Sequence, residues 1–544
     1  MASVKRLNAA WLGVLPGAAL LLWVVAPTLR LMALGLLGDA DLPGVSGNWS
    51  LWQPWQDAYL RHRVLWSLAQ AGITCVLALA LGLPLAWALA RFEFMGRSLS
   101  LRLLMLPFVV PTLVAALGVL ALWGPSGLLG GYLGVNLQGT PVLLLYGNLF
   151  FNLCLVVRAG VDALAQVNGR QVAAARTLGA NPWRVFWRVE WPAIAPWLMS
   201  SLCLVFLYCF SGFGLALVLG GQAYATVEVE IYSLVAHELQ LGQASVLAMW
   251  MLLLTGLVAS AYAVLERRLA VPHQLEPVAR QRPQGWAQHL ALALALAVLA
   301  LVCALPIVAV VWRAASAGGQ AWAVLLDDEV LQALWNTVRF SVVALVLAMG
   351  LGVLHALAAQ RSVAWRAAAF LPLVISPVTV AFGLLLLYPN WTATLPLLLV
   401  TYALLAYPFV AKSVAAGLDS LPGNVLNAAR TLGANPWHVF WRVSLPLLAP
   451  ALRRGMAFAA ATALGEFAVT LFLSRPEWTT LTTLIYQRLS HPGARSLDEA
   501  LVLACLLMAL ALLSFVLIES SGTVAVTAQL PRAKGAPNTG LRHA

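Results

Sequence analysis

Charge is scarce in this sequence. Asp, Glu, Lys and Arg make up 10% of its 544 residues, where a soluble domain carries about a quarter. That shortage excludes a string of ordinary water-soluble domains, of which this length would otherwise suggest roughly three or four. The six cysteines (Cys75, Cys154, Cys203, Cys209, Cys303, Cys505) lie in or beside apolar runs with no CxxC pair, so they read as small hydrophobes packed between helices. A GxxxxGK-Ser/Thr phosphate loop is missing, so the chain has no usual cradle for ATP. His237-Glu238 is followed by Leu-Gln-Leu, which breaks the HExxH zinc spacing. His355 stands alone in an apolar run and reads as a packed side chain. The sequence therefore assigns no catalytic residue, no metal site and no cofactor of the chain's own.

Apolar runs are what it has in abundance. Hydrophobic residues make up 62% and the mean hydropathy is +0.87. A spanning helix needs about 20 mostly apolar residues. Candidate spans in the first half centre on 12–34, 64–90, 101–123, 140–160, 196–220 and 243–265. The second half offers 288–312, 332–358, 367–388, 393–415, 450–473 and 499–519. The expected fold is an all-α integral membrane protein of about 12 spans in two parallel, homologous six-helix halves. Lys5 and Arg6 before the run from Trp11 to Leu37 resemble a signal peptide, but the run exceeds the ~7–15 residues of such a core and reads as a retained first span.

The net charge of +12 does not point to nucleic acid, because the basic residues are spread through short loops rather than gathered in one patch. They follow the positive-inside rule instead. With the N-terminus cytoplasmic, the inner segments hold Arg91, Arg97 and Arg102; Arg170, Arg176, Arg184 and Arg188; Arg267, Arg268, Arg280 and Arg282; Arg361 and Arg366. Lys412, Arg430, Arg442, Arg453 and Arg454 complete that side. Outer segments are acidic or mixed, with Asp39, Asp41 and Asp57, then Glu228, Glu230 and Glu238, then Asp327, Asp328 and Glu329. The last outer loop departs from the rule, mixing Arg475, Arg488 and Arg495 with Glu477, Asp498 and Glu499. Both termini are expected in the cytoplasm of a bacterium whose inner membrane the chain crosses many times. Residues 1–265 form the first domain and 288–520 the second. Between them, 266–287 with Pro272, Pro277 and Pro283 reads as an extended cytoplasmic linker, and 521–544 as a cytoplasmic tail.

The halves repeat one segment almost unchanged. Residues 174–196 read AARTLGANPWRVFWRVEWPAIAP and 428–450 read AARTLGANPWHVFWRVSLPLLAP, with 18 of 23 positions identical at an offset of 254. The same offset joins Phe213 to Phe467, Thr226 to Thr480 and Tyr232 to Tyr486. Within each copy a helix is expected to stop at Gly179 or Gly433. A second, short amphipathic helix should start at Asn181-Pro182 or Asn435-Pro436, with Asn as cap, and end at Trp191-Pro192 in the first copy. An interfacial helix held by Trp183, Trp187 and snorkelling arginines is the plainer alternative. Interfacial binding needs only amphipathicity, whereas near-identity suggests two copies meeting two identical surfaces.

This loop resembles the EAA loop of binding-protein-dependent ABC importer permeases. Ala173-Ala174-Ala175, Gly179 and Trp191-Pro192 fit that pattern in the first half; Asn427-Ala428-Ala429, Gly433 and Leu445-Pro446 fit it in the second. The family's glutamate is replaced by Ala173 and Asn427. The resemblance implies that the loops, 166–192 and 420–446, dock on a separate ATP-hydrolysing subunit, most simply a homodimer. Ala173, Ala174, Ala175, Gly179, Asn181, Trp183 and Pro192, with Asn427, Ala428, Ala429, Gly433, Asn435, Trp437 and Pro446, are then the coupling residues. It also implies a periplasmic solute-binding protein as partner, met by the outer segments carrying Glu228, Glu230, Tyr232 and Tyr486, although ordinary solvated charge explains the two glutamates equally well.

Glu466 is the carboxylate expected inside a span. At a cost of roughly 2.5–3.5 kcal/mol on insertion scales, it should face a pathway or anchor a hydrogen bond. Its first-half equivalent is Gly212. Finer resemblance points to fused permeases for thiamine and for ferric iron: Trp55-Gln-Asp-Ala-Tyr-Leu60, Phe150-Phe-Asn152 and Val189-Glu-Trp-Pro192 look like the thiamine branch, and the expected solute is thiamine or its phosphates, with iron(III) as the alternative. An ion-coupled secondary transporter is the more distant rival; it fits less well, because buried charge is scarce and the best-kept repeat is the loop.

Overall fold

The computed structural model describes residues 10–37, 50–125, 127–269, 278–360, 362–369, 371–392, 394–473, 475–491 and 493–520. Lys5, Arg6, Asp39, Asp41, linker residues 270–277, Arg361 and the tail 521–544 lie outside them, as do the side chains of Arg267, Arg268 and Arg430.

Helices build the described residues throughout, with an isolated bridge between Phe92 and Gln281. Nine are long and apolar enough to cross a membrane: Leu12–Leu37, Ala58–Arg91, Pro141–Leu164, Pro182–Phe210, Leu241–Leu265, Gly285–Ser316, Asp328–Ala359, Leu395–Asp419 and Arg495–Glu519. A tenth is counted if the bent pair Arg97–Val109 and Thr112–Trp123 forms one span. The expected count of twelve differs for two reasons. The second-half equivalent of the bent pair is also broken, and its apolar piece Pro377–Leu387 is too short to cross alone. In 436–464 the adjacent Arg453 and Arg454 dilute the hydropathy.

The breaks have local causes. The first pair bends by 111° ahead of Thr112, where Val110 is extended and Pro111 has no N–H to offer a helix. Ser376 and Pro377 interrupt the second half in the same place, the Ser376 hydroxyl accepting from Thr379 N at 3.2 Å to start the next helix. The expected spans 196–220 and 450–473 are likewise not single helices. Trp191–Phe210 stops, and Gly214–Leu219 resumes after it; Leu445–Leu464 stops, and Ala468–Leu473 resumes. A helix that stops in an apolar setting leaves carbonyls needing donors. Gln70 Nε2 supplies one to Cys209 O at 2.9 Å, while Asn148 Nδ2 holds Gln70 Oε1 at 2.6 Å. In the second half Thr482 Oγ1 donates to Glu466 O at 2.9 Å.

Each half lends its first helix to the other. Leu12–Leu37 lies along Pro377–Leu387 and Asp328–Ala359, and Gly285–Ser316 lies along Thr112–Trp123 and Ala58–Arg91. Two glycines allow this approach. A Cβ on Gly118 would sit 2.7 Å from Pro306 O, and one on Gly383 would sit 2.8 Å from Pro27 O. Leu20 and Val24 are accordingly buried among second-half side chains, and Leu292, Ala295 and Leu299 among first-half ones. Of the expected linker 266–287, residues 266–269 continue the helix Leu241–Leu269 and Gly285 already starts the next; between them Gln281 N donates to Arg91 O at 2.9 Å and Glu93 N to Gln281 O at 3.0 Å.

Candidate functional site: two elbows and a central chamber

The two repeated segments fold alike. Gly169–Thr177 ends at Leu178, Gly179 takes φ +80°, and Asn181 Oδ1 accepts from Arg184 N at 2.8 Å to begin a new helix at Pro182. Gly423–Thr431 is followed by Gly433 at φ +79°, with Asn435 Oδ1 accepting from His438 N at 2.8 Å. Positive φ strains any residue with a Cβ, so glycine is the residue that turns this corner. The second helix does not end at Trp191-Pro192 as expected. It passes through a π turn, Phe186–Glu190 or Phe440–Ser444, straight into the spanning helix. The proline falls one turn inside, where the wider π turn absorbs its missing donor. Each elbow thus runs without a break into a long helix whose far end lines the central cavity.

The elbows present apolar surface outward. Leu178 is 87% exposed and Trp183 68%; their counterparts Leu432 and Trp437 are 86% and 60% exposed. Ala173, Ala174 and Pro192 are exposed, as are Asn427, Ala428 and Pro446, while Ala175 and Ala429 are half-buried. A buried ion pair distinguishes the first elbow. Arg91 Nη2 donates to Glu190 Oε1 at 2.6 Å, tying the π turn to the end of Ala58–Arg91; Ser444 takes the glutamate's place in the second half.

Far from the elbows, the four breaks surround a cavity of ≈ 300 Å³ between the halves. Its walls carry Phe108, Phe151, Tyr208, Phe213, Phe409 and Phe467, and its carboxylate is Glu466. Irregular backbone is tolerated at this depth where it lines a cavity. Glu466 Oε1 accepts from Val469 N at 3.0 Å, so the carboxylate caps Ala468–Leu473 as well as facing the chamber. Glu466 thus lines the cavity wall and anchors a helix start. A second cavity of ≈ 560 Å³, on the elbow side, shares Phe108 and Phe409 with the first.

On the side away from the elbows the chamber is closed by four rings. Phe213 and Phe467 stack across the halves with centroids 5.9 Å apart. Tyr232 backs Phe213 at 5.5 Å, and Tyr486 backs Phe467 at 5.3 Å. The offset of 254 had identified these as equivalents, but nothing in the sequence indicated that they touch.

Glu228, Glu230 and Tyr232 require a correction, because the expected surface contacts are buried at 0%, 4% and 9% exposure. The segment that carries them folds back into the molecule. Val227 N donates to Ser67 Oγ at 2.8 Å, matched in the second half by Leu481 N to Thr337 Oγ1 at 2.9 Å. Glu230 Oε2 lies 3.3 Å from Arg63 Nε and accepts from Tyr59 Oη at 2.9 Å. Glu228 has no hydrogen-bond partner on either oxygen, and burial pushes its carboxyl up to about 8 against a lesser opposing pull from Ser376. Tyr486 is half-buried.

The family model for the binding-protein-dependent transport system inner membrane component matches residues 78–271 and again residues 300–520. The chain belongs to this family. It is a two-domain importer permease of the ABC type, carried in one polypeptide, and a multi-pass membrane protein. Among its relatives, the thiamine transport system permease protein ThiP of Escherichia coli (strain K12) is 31% identical over 494 residues, 86% of this chain and 90% of the relative. ThiP of Haemophilus influenzae is 28% identical over 483 residues, 84% and 88% of the two chains. The sulfate transport system permease protein CysW of Synechocystis is 30% identical over 207 residues, 38% of this chain and 74% of the relative. The family works with an ATPase and a periplasmic binding protein, and this permease is a transport component.

Proposed function

We propose that this permease moves a small organic cation, thiamine or its phosphate esters, from a periplasmic binding protein into the cytoplasm. The chamber carries this reading. Six aromatic rings and one carboxylate surround a space between the halves. Aromatic faces attract cations, and the thiazolium ring of thiamine is a permanent one. A ferric ion, by contrast, wants several hard oxygen donors, and the ThiP relatives add weight to the organic solute.

The elbows face the cytoplasm in this account, and so do both termini, in keeping with the arginines clustered around the elbows. Residues around Gly179 and Gly433, with exposed Trp183 and Trp437, dock in the grooves of an ATPase homodimer. On the outer side, the exposed tips 221–223 and 475–477 meet the binding protein. Closure of the nucleotide subunits drives the elbows together. The helices joined to them by π turns then part the halves at the four-ring closure. Both ATP and the loaded binding protein favour that outward state, and hydrolysis restores the inward one.

The test is uptake by vesicles containing the permease, its ATPase and its binding protein. Thiamine is expected to accumulate with ATP and to be displaced by thiamine phosphate but not by ferric citrate. Accumulation of iron without thiamine overturns the substrate assignment.

A further inference from the structure

We infer that Glu228 is an entry carboxylate of the pathway, covered while the halves are closed and uncovered when they part to admit a cationic solute. The inference rests on the organic-cation reading above and adds a second binding residue to it.

Three observations place it. Glu228 is fully buried with both oxygens unpartnered, although Glu230, two residues on, is fully engaged by Arg63 and Tyr59. Keeping a carboxyl buried without a hydrogen-bond partner is costly, and such a group calls for a reason beyond packing. The residue also lies in the first turn of Val227–Ala236, which packs on Pro377–Leu387 of the other half, and its polar neighbour there is Ser376, which lines the chamber. Phe213 against Phe467 and Tyr232 against Phe472 complete that contact between halves. Solute arriving from outside must open this seam, and opening it wets Glu228.

The third observation comes from the repeat. Gly212 and Glu228 of the first half correspond to Glu466 and Thr482 of the second. In the second half the Thr482 hydroxyl donates to Glu466 O at 2.9 Å, so that corner is internally satisfied. In the first half the acid has moved to the position of the threonine. Each half thus contributes one buried carboxyl from the same corner, Glu466 facing the chamber and Glu228 held at its mouth. Once hydrated, Glu228 ionises and offers an anion to the cation on its way to Glu466.

The test uses the complete transporter in nanodiscs, with the six native cysteines replaced and Glu228→Cys introduced. The probe is a trimethylammonium methanethiosulfonate, itself an organic cation. Modification is expected to be at least roughly tenfold faster with ATP and hydrolysis-blocked ATPase subunits than without nucleotide, as a population shift of this kind requires. Equal rates in the two states, or no modification in either, overturn the inference. In parallel, Glu228→Gln should raise the KM for uptake by roughly tenfold, the loss of about one charge contact, and Glu228→Asp should recover part of the loss. Normal uptake by Glu228→Gln also overturns it. Failure of the unmodified transporter to move thiamine would instead strike at the substrate assignment, because the cysteine readout does not involve thiamine.

Discussion

Phe213 and Phe467, 254 residues apart in the sequence, stack face to face at 5.9 Å and 23° between ring planes, each contributed by the break that follows a long helix rising from an elbow. One contact thus joins the two ends of the proposed mechanism. Whatever moves the elbows moves the helices 182–210 and 436–464, and those helices end at the rings that close the chamber.

Truncating the pair should therefore open a leak. Phe213→Ala or Phe467→Ala removes a buried ring, worth about 3–5 kcal/mol in a packed core. Vesicles loaded with thiamine should lose it faster without ATP than wild-type vesicles do, and the double variant should leak most. Efflux no faster than wild type would show that the rings are packing alone.

The elbow glycines should tolerate no bulky residue. A left-handed conformation costs roughly 1–2 kcal/mol for a residue with a Cβ, yet nothing lies within 4 Å of a Cβ built on Gly179 or Gly433. The loss from Gly433→Trp should accordingly fall on docking rather than on folding. Co-purification of the ATPase subunit should drop while membrane yield of the permease holds. Undiminished recovery and uptake in this variant and in Gly179→Trp would count against the elbows as docking sites.

Arg91 and Glu190 offer a double-mutant cycle. Breaking a buried pair by removing one partner costs about 3–5 kcal/mol, because the other charge is left uncompensated. Arg91→Met and Glu190→Met should each lower thermal stability in detergent more than the two together. Additive losses would show that the 2.6 Å contact contributes little.

Glu466 should separate cargo from coupling. Glu466→Gln keeps an acceptor for Val469 N, whereas Glu466→Ala also forfeits the cap, worth about 1 kcal/mol. Uptake of thiamine should fall in both variants, with ATPase stimulation retained in the glutamine form and melting temperature lowered chiefly in the alanine form. Wild-type uptake in Glu466→Gln would remove the carboxylate from the pathway.

The elbows were legible because their signals are local: an Asn cap, a glycine stop and a repeated string of residues. Hydropathy found the long helices for the same reason. It missed the breaks, since a window of about twenty residues averages across Val110-Pro111 or Ser376-Pro377, although the prolines were there to be read. Glu230 looked like surface charge because its partners Arg63 and Tyr59 lie more than a hundred positions earlier in the sequence, and nothing near Glu228 in the sequence marks it as buried. The exchange of first helices between the halves was equally hidden. It depends on Gly118 and Gly383 meeting prolines of distant helices, a relation that composition and periodicity do not record.

The most direct measurement is solute uptake by vesicles holding the purified permease with its binding protein, compared with and without the ATPase subunits, at equal ATP and under the same imposed ion gradient. Uptake confined to vesicles that contain the ATPase, and abolished there by a bulky residue at Gly433, is the expected result. Net accumulation by the permease in vesicles lacking any ATPase would contradict the account.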